Sequence, residues 1–404
     1  MSEILARLRV RETHGIRRFL YPLTAYVSLP PDINTSSLQL APVDGVPVPL
    51  QVTLWHTGEY RVDFAVSMAP LQQERDYLLT IGTPAAIPDP LRLTHQDGDK
   101  LSSLQERFQI VLEPAGEIRN AVYDGVSHLL YPAQQEIRED YSAAVSRPDP
   151  EDKPKHDKRG FIILAATPEI PLNTPNYNIG GGPLAAWHQT KGVYADGSPV
   201  EITTEISACK SWVMLNYRLQ QPRLDEIIYF NLPLGGNFSN AIDGPASRTI
   251  FDCGINGIYG RADYWGTYIN WFAPEKPGGE IRWEIGKNYE YNNGEHTHPV
   301  NYTGITPEAK FQQQRWFHLV NERQAVAVAI TKMPYGWQSL KVSVRQYINL
   351  EFRLSAETAG PAEFGVCYHF LNDVPAIAAA TNPQSILLPP IVKVLPSDLT
   401  GWRE

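Results

Sequence analysis

Apolar and polar residues alternate in short runs along most of the chain. Between Leu8 and about Thr83 the runs RFLYPLTAYVSL, SLQLAPV, PVPLQVTLW, YRVDFAVSM and DYLLTIG each have the length of a strand. PPDINTS, DGVP, HTGE and APLQQER separate them. A period of two marks half-buried strands, and Pro, Gly and Asn punctuate the turns. No helix-length amphipathic segment intervenes, so βαβ units are excluded and a small β barrel or sandwich is predicted over residues 1–88. AIPDPLRLTHQDGDK, two prolines followed by a polar cluster, predicts a linker at 89–100.

Residues 101–404 continue the pattern on a larger scale. ERFQIVLEPAGEIRNAVYDGVSHLLYP reads as strand, turn, strand, with Gly116 and the Asp124-Gly125 pair at the reversals. Strand runs resume at FIILAAT, VEITTEISACKSWVMLNYRL and EIIYFNLPL, then at IRWEIG, WFHLVNERQAVAVAITKM, LKVSVRQYINLEFRLSA and EFGVCYHFL. The sum is an all-β protein: the small N-terminal module, then a large antiparallel sandwich. Long loops are predicted at 139–159, where REDYSAAVSRPDPEDKPKHDKRG is strongly polar, and at 173–199 and 237–307. The last two are rich in Gly, Asn, Tyr, Trp and His, and loops on a rigid scaffold are where function concentrates. The tail PAIAAATNPQSILLPPIVKVLP reads as an apolar strap packed over the sandwich.

Composition narrows the function. The 404 residues carry a net charge of −9, which argues against nucleic acid, because that affinity comes from Lys and Arg neutralising phosphates. No apolar run of membrane-spanning length occurs and the first residues hold no apolar leader, so the expectation is a cytoplasmic protein without a membrane partner. Cys209, Cys253 and Cys367 are far apart, without metal-type spacing, and read as reduced. The 9 Trp and 20 Tyr suit sugar binding as well as an aromatic core.

The order RRFLYPLTAYVSLPPD, LQLAPVDGVPVPLQV and DYLLTIG resembles the β module of exo-rhamnogalacturonan lyase-like proteins and the β regions of family 38 α-mannosidases. FQIVLEPAGEIRNAVYDGVSHLLYP is similar to the first hairpin of the galactose-mutarotase-type supersandwich, and WFHLVNERQAVAVAITKMP to its late strand pair. The resemblance implies a β-supersandwich and sugar chemistry, and leaves the reaction open. The chain departs from these families in lacking a helical catalytic barrel, so none of their catalytic residues carries over.

Three constellations could carry chemistry. In YNNGEHTHPVNY, Glu295, His296 and His298 fall within four residues, and residues two apart in a strand share a face. His296 and His298 could divide acid and base roles, or ligate a divalent metal with a third group such as His188, His318 or Glu284. INGIYGRADYWGTYINWF gathers Arg261, Tyr264, Trp265, Tyr268 and Trp271. Aromatic faces stack on pyranose rings, and Arg261 could hold a uronate carboxylate through paired hydrogen bonds. Tyr264 or His296 could then take the proton beside that carboxylate. NYNIGGGPLAAWHQ places Trp187 and His188 after Gly180, Gly181 and Gly182, a run that permits close backbone approach to a ligand but lacks a nucleotide-binding spacing. For hydrolysis, Glu284, Glu290 or Glu295 could supply a carboxylate.

The expected function is a carbohydrate-active enzyme cleaving a uronate- or rhamnose-containing oligosaccharide by β-elimination or hydrolysis. His296, His298, Tyr264, His188 and Glu295 are the catalytic candidates, and Arg261, Trp265, Tyr268, Trp271 and Trp187 the substrate-binding ones. The alternatives are a mutarotase-like sugar epimerase and a non-catalytic carbohydrate-binding or assembly protein. No cofactor is required by this reading, a divalent metal being the candidate, and pairing into a homo-oligomer through sandwich faces is open.

Overall fold

A computed structural model describes residues 3–70, 74–89, 92–96, 100–104, 106–112, 118–129, 134–139, 162–163, 179–193, 199–220, 226–235, 249–252, 259–262, 267–272, 282–285, 316–321, 324–332, 337–344, 347–354, 360–372 and 385–396. The all-β expectation holds, and every named sheet is antiparallel.

The N-terminal module contains β1 (Ile4–Arg11), β2 (Arg18–Ser28), β3 (Leu38–Pro42), β4 (Leu50–His56), β5 (Glu59–Met68) and β6 (Glu74–Ile81). Next come β7 (Thr94–Gln96), β8 (Lys100–Ser103), β9 (Phe108–Leu112), β10 (Ile118–Tyr123), β11 (Val126–Ser127), β12 (Gln134–Glu139) and β13 (Ile162–Ile163). They are followed by β14 (Ile179–Gly181), β15 (Ala185–Val193), β16 (Pro199–Ser207), β17 (Trp212–Leu219) and β18 (Glu226–Pro233). Then follow β19 (Thr249–Asp252), β20 (Tyr259–Ala262), β21 (Thr267–Phe272), β22 (Arg282–Ile285) and β23 (Trp316–Asn321). The last are β24 (Gln324–Lys332), β25 (Trp337–Val344), β26 (Tyr347–Leu354), β27 (Ala362–Asn372) and β28 (Ile391–Leu395).

The module packs a four-stranded sheet, β28-β1-β6-β3, on a three-stranded sheet, β2-β5-β4. Alternation fills its core: Leu8 and Val10 from β1 meet Leu23, Ala25 and Val27 from β2 and Val62, Phe64 and Val66 from β5. The sandwich combines sheets ordered β14-β15-β16-β17-β27-β24-β23-β19-β20, β13-β12-β18-β26-β25-β21-β22 and β11-β10-β9-β8-β7. One core joins them, with Ile206, Val213, Val328 and Val366 of the nine-stranded sheet packed with Phe230, Leu350, Phe108 and Ile110 of the others.

The predicted opening hairpin forms as β9 and β10, and the chain reverses again at Asp124 (φ 49°) and Gly125 (φ 76°) into β11. Two consecutive positive φ values favour an Asp-Gly pair in a tight hairpin. Gly116 lies outside the described residues.

Several segments differ from the sequence reading. Part of the predicted linker becomes β7 at the edge of the five-stranded sheet. The described part of the apolar strap, residues 385–396, packs at the junction of module and sandwich, and its end, β28, pairs with β1 and completes the module. Strand β1 has a free edge on the side away from β6, and the strap's alternating IVKVL supplies the missing ladder. Within 237–307 the predicted run IRWEIG forms β22, and strands not predicted appear as well, β14 and β15 in 173–199 and β19 to β21 in 237–307. Except for β15 these are short, three to six residues, and interspersed glycine and proline mask their periodicity. Most of the polar 139–159 segment lies outside the described residues.

Candidate functional site at the junction of module and sandwich

The nine-stranded sheet turns one face to the sandwich core and the other to the module, and strand parity decides which residues go where. Trp187 on β15 stands opposite Glu205 on β16, Glu205 opposite Met214 on β17, and Met214 opposite Cys367 on β27. This row belongs to the module side, where Trp212, Met214 and Cys367 join the module's own core cluster. Their sequence neighbours Ala186, Ile206, Val213 and Val366 belong to the sandwich core.

On the module, β2 and β5 alternate in the same way. Their polar positions, Thr24, Arg61 and Asp63, turn away from the module core toward β16, while Leu23, Val62 and Phe64 fill that core. Arg61 is 2% and Asp63 3% exposed. The Arg61 Nε donates to both Asp63 oxygens at 2.9 Å, and Nη2 donates to Glu205 across the junction. Thr24 Oγ1 donates to Asp63 at 2.7 Å. The guanidinium carbon lies 4.1 Å from the Trp187 ring centroid and 5.8 Å from that of Trp55, and the two indoles meet edge to face at 5.6 Å. Burial works against the Arg61 charge, but the Glu205 and Asp63 carboxylates outweigh it and hold the guanidinium above its ordinary value. Burial also raises the Asp63 carboxyl, with Arg61 opposing.

Gln51 forms a second clasp. Its Oε1 accepts from the Leu184 and Ala185 N–H groups at 2.9 and 3.0 Å, and its Nε2 donates to the Ala185 carbonyl at 2.9 Å. Gly181 and Gly182, just before Leu184, serve this contact. Gly181 has φ 116°, a conformation that a side chain strains, and a Cβ there would run into the Ala185 carbonyl. A Cβ on Gly182 would sit 3.1 Å from Gln51 Oε1. The close approach expected of this glycine run is therefore made by the module's own Gln51.

A third contact region surrounds Trp212. Tyr21 and His369 meet its ring edge to face at 5.7 and 5.5 Å, and Lys210 donates to the Phe19 carbonyl at 3.0 Å. Burial, with Lys210 adding to it, pushes the His369 imidazole down to about 3. Burial lowers His128 as well, against hydrogen bonds to the Leu371 and Val126 carbonyls. The unfolded chain takes up these protons below about pH 6.5, whereas folded His369 refuses its proton until about pH 3. Stability therefore falls as pH drops through that window, by up to about 1.4 kcal/mol per pH unit for each such histidine. Denaturant unfolding at pH 7 and 5 is expected to show this loss, and His369→Phe, which keeps a ring against Trp212, to reduce the slope by about one proton.

Of the residues singled out in the sequence, Trp187 and His188 are both buried, on opposite faces of β15. Trp187 packs on Arg61 at the junction, while His188 stands opposite Thr204, which is also buried. They do not line one cleft. Arg261 pairs with Ile250 in the nine-stranded sheet, whereas Tyr268 and Trp271 pair with Ser343 and Leu340 in the seven-stranded one. Glu284 stands opposite Asn270, and His318 opposite Asp252 and Ala327. Tyr264, Trp265, Glu290, Glu295, His296 and His298 lie outside the described residues. Among the described residues no group of three His, Cys, Asp or Glu side chains is gathered as for a metal ion. No helix among them is long and apolar enough to cross a membrane.

No family model matches the chain, and no curated protein matches its sequence. Solved structures do. A glycosyl hydrolase family 38 protein from Enterococcus faecalis aligns over 98% of this chain and 49% of its own, with 10% identity and a TM-score of 0.52. The chain shares its fold with about half of that protein. An α-mannosidase from Enterococcus faecalis V583 aligns over 98% of this chain and 47% of its own, with 11% identity and a TM-score of 0.53. The module and sandwich are thus matched together, in one arrangement, and the chain spans about half the length of the structures it matches. At these identities the likeness is one of fold.

Proposed function

We propose that this chain is a carbohydrate-active protein. The observation that carries the reading is the end-to-end correspondence with one half of two glycosidase-family structures, module and sandwich included. The finer reading is cleavage of a uronate- or rhamnose-containing oligosaccharide by β-elimination or hydrolysis. In it, Arg261 grips the uronate carboxylate, Tyr268 and Trp271 offer stacking surfaces, and Tyr264 or His296 takes the proton next to that carboxylate. Its test follows the ultraviolet absorbance of an unsaturated uronate, and new reducing ends, on a panel of uronate and rhamnose oligosaccharides with and without divalent metal. A rise in absorbance lost in His296→Ala is expected for elimination, and new reducing ends alone for hydrolysis. A flat trace in both, from a folded chain, contradicts cleavage.

One observation favours a second reading, non-catalytic sugar binding: the buried carboxylate at the junction, Asp63, and its neighbour Glu205 are both committed to Arg61. Under that reading His296→Ala leaves sugar affinity unchanged.

A further inference from the structure

Beside the Arg61 network the junction forms a half-open pocket of about 440 Å³. Small-molecule sites fall at roughly 300–1,000 Å³, mostly apolar with a few convergent polar groups. The cavity has that make-up. Its polar lining includes Thr24 of β2, Asp63 of β5, Glu205 and Ser207 of β16 and Thr331 of β24. Its apolar lining includes Met214 of the nine-stranded sheet and the strap residues Ile386, Leu387, Pro389 and Pro390. Among the described residues no Lys, Arg or His lines it. Arg61 holds both carboxylates from the neighbouring position along β5, so two acids share one cation, and Glu205 keeps a quarter of its side chain exposed.

We propose that this cavity binds a neutral sugar unit, a proposal that rests on the carbohydrate reading above and assigns it a place. Sugars have apolar C–H faces and a rim of hydroxyl donors. The apolar strap and Met214 suit the former, and the Glu205 carboxylate with the Thr24 and Ser207 hydroxyls suits the latter. An anionic sugar is disfavoured here, because its carboxylate would meet Asp63 and Glu205 with no cation in the described lining. The charge preference of the junction cavity thus differs from the uronate preference proposed above for Arg261 of β20. The same wall gives the site a lid-like border contributed by residues 386–390, the segment that Arg18 ties down through the Ser385 and Leu388 carbonyls.

Cys209 lines the cavity and reports on it. Burial pushes its thiol up to about 11, so it alkylates slowly and without catalytic assistance. The experiment measures maleimide labelling of Cys209 by peptide mass spectrometry, with the urea-unfolded chain as the reference, in methyl α-mannoside, rhamnose, galactose or galacturonate. At least one neutral sugar is expected to slow Cys209 labelling in the folded chain about tenfold at saturation while labelling of the unfolded chain is unaffected, and galacturonate to have no effect. Glu205→Gln, which leaves Arg61 paired with Asp63, is expected to weaken that sugar roughly tenfold to a hundredfold, the worth of a hydrogen bond to a charged group. A sugar that binds without protecting Cys209 overturns the assignment of the site and leaves the carbohydrate reading intact. Galacturonate protecting as well as the neutral sugars overturns the charge argument. Binding by none overturns both.

Discussion

Arg61→Ala is expected to lower the stability of the folded chain by about 3–5 kcal/mol, the cost of leaving a buried carboxylate without its partner. Asp63 is 3% exposed, and both of its oxygens accept from Arg61 Nε. The substitution also removes the donor to Glu205 and the cation stacked on Trp187, so it removes one of the buried contacts that join the module to the sandwich. Urea unfolding monitored by tryptophan fluorescence reads the loss. Arg61→Met combined with Asp63→Leu is expected to recover most of it, because an apolar pair needs no desolvation of charge. A loss below about 1 kcal/mol for Arg61→Ala, typical of an exposed ion pair, would contradict the burial of this network.

Arg18→Ala has an effect of similar size with a different reach. Arg18 and Glu12 are fully buried as side chains, and Arg18 also donates to the Ser385 and Leu388 carbonyls of the strap. Burial would raise Glu12, but the Arg18 hydrogen bond and the N–H groups of His14 and Ile16 outweigh it and hold the carboxyl below its ordinary range. The stabilisation from that lowered value is present above the ordinary carboxylate range and fades as pH falls through the lowered one. Removing the guanidinium strands Glu12, again at about 3–5 kcal/mol, and frees the strap. Hydrogen exchange is expected to quicken first along Ile391–Leu395, where β28 pairs with β1, before the nine-stranded sheet is affected. Uniform exchange across the chain would instead mean that the strap unfolds only with the whole.

Much of the architecture could be read from alternation alone, because each strand of the module has one face on a core and one elsewhere. The run YRVDFAVSM gives β5, and its apolar positions Tyr60, Val62, Phe64 and Val66 are the buried ones. The same rule assigns Arg61 and Asp63 to solvent, and here it fails. A charged pair two residues apart looks the same on an exposed face as on a face covered by a second domain. Only the arrival of Glu205, 144 residues later, distinguishes them. Gly180 to Gly182 were legible as a place of close approach, but the partner, Gln51, comes from the module and leaves no local trace. Trp187 and His188 look equivalent as neighbours in a loop; within β15 parity sends one to the junction and the other to the opposite face. The strap's partner was hidden for a related reason: its apolar character fits any uncovered surface, and the open edge of β1 is a property of the folded module.

Carbohydrate recognition by this chain, which spans about half the length of the structures it matches, is tested most directly by calorimetric titration of the chain with the same neutral sugars and with uronate oligosaccharides. Saturable binding of at least one of them is expected, with a matching rise in unfolding temperature as the ligand stabilises the folded state. A folded chain that neither binds nor is stabilised by any of these sugars would contradict the carbohydrate reading.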